Sequence, residues 1–235
     1  IPVADRLPDR PGAAAFGVVG IFLAVVAAVP FVVLASSTDE PVLAAIAAIA
    51  TLAVLSGAMH LDGLADTADA LLARDPESAE RARKDPAVGP GGLLAIVLVV
   101  SAEIAALSSL AASTLPIETA WVLVAAAGVS RVLPIVLVWA TPDPRTANGL
   151  GSWFTERLRP LDVALAVASG VAIVALLAFA TRPALALDVI VGSAIGVLAG
   201  WFLAVRRSGL DGDVLGASIE LGFASILATT AVLVR

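Results

Sequence analysis

Cysteine is absent from the 235-residue chain, and histidine occurs once, at His60. The first absence removes disulfides, thiolate metal sites and cysteine nucleophiles together. The second leaves a zinc centre or a Ser-His-Asp triad only one imidazole to be built around. Charge is scarce as well: 14% of residues are charged against 60% hydrophobic, and the mean hydropathy is +1.01. That balance excludes an ordinary globular surface. The net charge of −6 argues against a nucleic-acid partner, because neutralising a phosphate backbone takes clustered Lys and Arg. The charge that remains leans to carboxylate, with 20 Asp and Glu, so the available chemistry is carboxylate chemistry. Nothing at the start reads as a signal peptide, and a beginning at Ile1 rather than Met leads us to expect a missing N-terminal segment.

Long apolar runs are what the chain has in quantity. Segments 13–38, 41–59, 91–112, 118–140, 161–181, 184–205 and 213–234 are each apolar enough to be helices in lipid, and each is long enough for a hydrocarbon core of roughly 30 Å. The expected fold is therefore all-α, a polytopic integral membrane helical bundle of about seven transmembrane helices in a single domain, 1–235. Short joints at Asp39-Glu40 and near Pro116 make neighbouring helices antiparallel hairpins.

Lys and Arg accumulate in cytoplasmic loops. Here Arg6 and Arg10 precede the first span; Arg74, Arg81, Arg83 and Lys84 fall in the loop 60–90, Arg145, Arg157 and Arg159 in 141–160, and Arg206 and Arg207 in 206–213. Only Arg182 and Arg235 lie opposite, which predicts a cytoplasmic N-terminus and an outer C-terminus. Every motif-bearing loop then shares the cytoplasmic face. A channel or transporter needs polar residues reaching both faces, so this one-sidedness favours an enzyme supplied from the cytosol or the inner leaflet.

Asp62, Asp66 and Asp69 are spaced i, i+4, i+7, which places three carboxylates on one helical stripe. Like charges so close repel, and a divalent cation relieves them; hard oxygen ligands suit Mg²⁺, which bridges to substrate phosphates. The bland alternative is a solvated helix face, but Leu64, Ala65, Ala68, Leu71 and Leu72 between them are apolar and a span directly abuts. Asp211-Gly212-Asp213 opens the last span, with Glu220 on the face of Asp213. Capping by Asp211 or Asp213 explains such a pair, and the same helix start with Gly212 offers backbone N–H groups to a phosphate. Arg131 lies in the middle of a span and needs a partner: either Glu103 pairs with it, or it projects into a polar cavity to hold a phosphate. Lys84-Asp85 before Gly89-Pro90-Gly91-Gly92 is a candidate phosphate grip or a plain basic anchor with a turn. Asn148-Gly149-Leu150-Gly151 is a flexible turn, a candidate lid over substrate. His60 beside Asp62 is a candidate general base or a simple boundary residue.

Taken in order, His60-Leu-Asp-Gly-Leu-Ala-Asp-Thr-Ala-Asp69, Val88-Gly-Pro-Gly-Gly92, Val129-Ser-Arg131, Gly149-Leu-Gly151 and Gly212-Asp-Val-Leu-Gly-Ala-Ser-Ile-Glu220 closely resemble the cobalamin synthase (adenosylcobinamide-GDP ribazoletransferase) family, nearly end to end. The chain departs from the family pattern at Ala70 and at Pro86-Ala87. The resemblance implies a prokaryotic inner-membrane enzyme with Mg²⁺ as cofactor. Its substrates would be adenosylcobinamide-GDP and α-ribazole or its 5′-phosphate: a ribose hydroxyl attacks the cobinamide-linked phosphorus and GMP leaves. On that reading Asp62, Asp66 and Asp69 carry Mg²⁺ with Asp213 as a further ligand, Asp69 or Asp85 takes the hydroxyl proton, and Arg131 and Lys84 hold phosphates. A homo-oligomer is compatible with this. CDP-alcohol phosphotransferases and prenyltransferases are rival Mg²⁺ enzymes, but the first need an Asp-Gly-x-x-Ala-Arg arrangement, whereas this chain has Asp62-Gly63-Leu64-Ala65-Asp66 and lacks the Arg, and the second need two homologous halves. A cation or corrinoid transporter is the rival from another class.

Overall fold

The computed structural model describes residues 11–73, 75, 87–141, 150–207 and 209–234, and the regular structure among them is helical. A short 3₁₀ turn, Ala13–Ala15, leads into α1 (Phe16–Ser37), followed by α2 (Pro41–Leu55), α3 (Met59–Leu72), α4 (Pro90–Ser113) and α5 (Pro116–Ser130). Then come α6 (Leu133–Ala140), α7 (Leu150–Arg157), α8 (Pro160–Ala180), α9 (Pro183–Arg207) and α10 (Gly212–Leu233). Pro41, Pro90, Pro116 and Pro160 open their helices in the first turn, where the missing N–H would have had no partner.

Six segments are long and apolar enough to cross a membrane, and α2 with α3 makes a seventh if that bent pair is taken as one span. The chain is a polytopic helical membrane protein. Two expected spans are not straight. The helix expected over 41–59 stops at Leu55; Gly57 (φ 61°) and Ala58 (φ 54°) turn left-handed, and α3 leaves at 89° to α2. A glycine accepts that backbone freely, and the turn lays the three carboxylates of α3 across the end of α2 instead of driving them into hydrocarbon. The segment expected over 118–140 breaks after Ser130, because Pro134 has no N–H to return to the Ser130 carbonyl.

The broken span is the centre of the bundle. Pro116–Ala140 is 89% buried, whereas α1, α4 and α8 are 22–28% buried and turn most of their surface outward. Their outward side chains, among them Phe22, Leu98 and Phe179, are large and apolar, as a lipid-facing belt requires. Helix α10 packs on α3, α4, α5 and α9. Its seam with α9 depends on small residues: a Cβ on Gly196 would stand 2.6 Å from the Gly222 Cα, the close backbone approach that holds helices together where no hydrophobic force acts between them. One core surrounds Phe31, Leu107, Leu123 and Ile226. A second, at the end where α3 and α7 lie, gathers Leu64, Ile135, Phe154, Leu210 and Val214. That end also holds the starts of α1, α4 and α10 and the last turn of α9.

Candidate active site

Helix α3 is amphipathic by sequence: Leu64 and Ala65 are buried while Asp62 is exposed and Asp66 and Asp69 are half-buried. The expected stripe of carboxylates is therefore a helical one. It sits against α10 through Gly63, where a Cβ would come within 2.9 Å of the Asp213 carbonyl oxygen, and through Gly216, which lies over His60. The two acidic motifs thus meet in space although about 150 residues of chain separate them.

Each carboxylate has a different environment. Both oxygens of Asp69 accept backbone N–H groups from the start of α4, from Gly89 at 2.7 Å and Gly92 at 2.9 Å. A Cβ at either glycine would collide with this carboxylate, so the Gly-Pro-Gly-Gly turn is the socket of Asp69. Among the described residues Asp66 has no such donors. Burial first, then the charges of Asp62 and Asp69, push its carboxyl above its ordinary value, with Asp211 adding and Arg207 opposing. Arg207 clamps Asp211 at 2.6 Å and reaches the Asp66 carbonyl at 3.5 Å. Asp211 caps α10 by accepting the Val214 N–H at 2.9 Å, so of the two capping candidates it is Asp211 that caps. The part played by Arg207 was not foreseen, although its i, i+4 spacing to Asp211 was visible in the sequence.

Deeper, His60 Nδ1 stands 3.5 Å from Glu220 Oε1. Glu103, Arg131 and Glu220 line one small cavity with Leu61 and Ser56. Arg131 makes its hydrogen bonds through Nη1, to the Ala127 carbonyl at 3.0 Å and Ser130 Oγ at 3.3 Å, and Glu220 and Glu103 are the carboxylates whose charge it feels. The expected ion pair is not made among the described residues: Glu103 Oε1 has no hydrogen-bond partner there, and Arg131 lies near both carboxylates at the cavity wall without bridging to Glu103.

Among the described residues no three Asp, Glu or His side chains converge as a ready-made metal site. The donors still suit Mg²⁺, which binds through one or two carboxylates plus substrate phosphates: Asp62 and Asp66 are hard oxygens one turn apart, and the crowding on Asp66 is what a cation relieves. Gly212 lies exposed at the mouth of this end, with open space where a Cβ would stand. Lys84, Asp85 and Asn148 lie outside the described residues.

The family model for cobalamin-5-phosphate synthase matches residues 1–231. Adenosylcobinamide-GDP ribazoletransferase of Shigella flexneri serotype 5b is 36% identical over 214 residues, 90% of this chain and 83% of that protein. Its namesakes are similar too: that of Syntrophobacter fumaroxidans is 36% identical over 88% of this chain and 80% of its own length, and that of Allorhizobium ampelinum is 34% identical over 80% and 73%. No solved structure matches the chain.

Proposed function

The chain belongs to the cobalamin-5-phosphate synthase family and acts as an adenosylcobinamide-GDP ribazoletransferase in cobalamin biosynthesis; we propose that the meeting of α3 with the start of α10 is its catalytic centre and faces the cytoplasm. The observation that carries this is Asp66, a carboxylate crowded by Asp62, Asp69 and Asp211, with Arg207 opposing among the described residues. Such a site is built for a partner that brings positive charge.

The reaction forms a bond between a ribose oxygen of α-ribazole, or of its 5′-phosphate, and the cobinamide-linked phosphorus. It breaks the bridging P–O bond of the pyrophosphate, so that GMP departs with the bridging oxygen. Phosphoryl transfer asks the protein mainly for positioning and charge neutralisation. Asp62 and Asp66 would hold Mg²⁺, with Asp213 beside them at the helix crossing. Bound there, Mg²⁺ supplies electrostatic relief for the charge on the phosphoryl oxygens. Asp69 keeps the start of α4 locked to α3, which fixes the stripe. The exposed start of α10 at Gly212 and the clamped Arg207 give phosphate oxygens donors at the same end. His60, held near Glu220, is a base outside the stripe for the hydroxyl proton. The cations that predict orientation also gather at this end, in Arg157, Arg159, Arg206 and Arg207, which supports a cytoplasmic site.

The test uses the purified chain in detergent or proteoliposomes with adenosylcobinamide-GDP and α-ribazole. Stoichiometric GMP and a ribazole-bearing corrinoid are expected, with loss of both in Asp66→Asn and in chelator, and recovery on adding Mg²⁺. Turnover in chelator, or an Asp66→Asn variant as active as the parent, would remove the metal-centred reading. CDP-alcohol turnover in place of the corrinoid would remove the activity itself.

A further inference from the structure

An apolar groove opens beside the acidic end. Its walls include Phe16 of α1, Trp153 and Phe154 of α7, Ile219 of α10, His60 of α3 and Arg131. Its cavity volume is about 590 Å³, within the ~300–1,000 Å³ of common small-molecule sites. We propose that this groove seats the base of the nucleoside co-substrate, an uncharged bicyclic aromatic with one unsubstituted ring nitrogen, and that Arg131 donates to that nitrogen. The proposal rests on the transferase reading above and assigns a place to one of its two substrates.

Position comes first. His60 and Gly216 belong both to the groove wall and to the crossing of α3 with α10, and Gly212 lines the groove at the start of α10. A nucleoside with its base in the groove presents its sugar at the mouth, beside Asp62 and Asp66, where a hydroxyl has to meet phosphorus. Shape is the second argument. Phe16 and Phe154 stack with centroids 5.5 Å apart and planes 20° from parallel, giving a flat, rigid aromatic wall of the kind that packs against rings.

Polarity then selects among occupants. The guanine of the other substrate carries several donors and acceptors that an apolar wall would leave unpaired, a heavy penalty. A lipid chain would offer nothing to Arg131, which is only 7% exposed and spends only Nη1 on its hydrogen bonds among the described residues. A benzimidazole riboside presents an apolar bicyclic face and one acceptor, which is the complement of this lining.

The test compares α-ribazole with the matching dimethylindole riboside, which has the same shape but lacks the acceptor nitrogen. The wild-type chain should favour α-ribazole by about tenfold or more in kcat/KM. In Arg131→Met made together with Glu103→Leu, which leaves the net charge unchanged, that preference should fall to near unity while the indole riboside is still used. Phe154→Ala should raise KM for both ribosides and leave KM for adenosylcobinamide-GDP unchanged. Equal use of the two ribosides by the wild-type chain would overturn the role of Arg131. A Phe154→Ala variant that instead raises KM for adenosylcobinamide-GDP, or whose KM values follow only the acyl composition of the vesicles, would overturn the groove assignment. Absence of any turnover by the wild-type chain would sink the transferase reading; binding of α-ribazole alone, read by quenching of Trp153 fluorescence against a Trp153→Phe control, still decides the groove in that case.

Discussion

Replacing Asp69 should damage the fold, whereas replacing Asp66 should damage only the chemistry, although the two residues lie one turn apart on the same stripe. Asp69→Ala leaves the N–H groups of Gly89 and Gly92 without their acceptor and uncaps the start of α4. A hydrogen bond to a charged group contributes about 1.5–3 kcal/mol. Because Asp69 is half-buried and water reaches part of the gap, the pair is expected to total about 2–4 kcal/mol, in line with lost caps at the upper end. For a chain of this length that corresponds to a fall of roughly 4–16 °C in Tm. Asp69→Asn keeps one carbonyl acceptor and should fall between. Asp66→Asn removes a charge that burial and its neighbours already disfavour, so in chelator its Tm should equal or exceed that of the wild type. The sign follows from linkage: the folded carboxyl titrates above its ordinary value, so the stability this group contributes is present at low pH and is lost as pH rises through the folded value, and Asn removes that dependence. Intrinsic fluorescence melts in detergent with chelator, at two pH values, read all three variants. An Asp69→Ala protein as stable as the parent, or an Asp66→Asn protein that collapses, would refute the division of labour.

Gly63→Val should place a side chain against the Asp213 carbonyl and push α3 from α10; because misplacement by about 1 Å can cost on the order of a hundredfold, kcat should fall by that order while the protein still elutes as the parent does. Orientation is testable by an impermeant maleimide in intact cells. Thr67 is buried and unsuitable for a label, so the pair is Val88→Cys, exposed at the acidic end, and Leu115→Cys, exposed at the other. Labelling of Leu115→Cys alone is expected, and labelling of Val88→Cys from outside would invert the topology.

The apolar runs made the bundle legible, since an unbroken hydrophobic stretch in lipid leaves the backbone few alternatives to a helix. The breaks were harder to see. Hydropathy passes smoothly through Ser56-Gly57-Ala58, and only the left-handed backbone there reveals that α3 departs sideways. Pro134 did carry the local signal for the second break, but a proline inside an apolar run is common in membranes and does not by itself end a helix. The acidic stripe was legible because period and helix agree. That Asp69 clasps Gly89 and Gly92 was not, because a carboxylate reads the same whether it faces water, a metal or an N–H. The seam of Gly192, Gly196 and Gly200 against α10 went unread for a simpler reason: small residues give hydropathy nothing to measure.

The charges deep in the bundle test whether the site or the fold maintains them. Glu103 is 1% exposed and Arg131 7%, and each charge near the middle of a span costs about 2.5–3.5 kcal/mol on insertion scales. If stability alone were at issue, apolar side chains of similar volume would serve as well or better, as they do for buried ion clusters in soluble proteins. Removing Arg131 leaves Glu103 and Glu220 without the cation beside them, a loss of about 3–5 kcal/mol. Arg131→Met alone should therefore melt early, and Arg131→Met with Glu103→Leu should recover most of that loss. Activity should separate the cases. A double variant that regains both Tm and full preference for α-ribazole would make the cluster structural, whereas one that regains Tm but not the preference would show that the bundle carries these charges because Arg131 faces substrate.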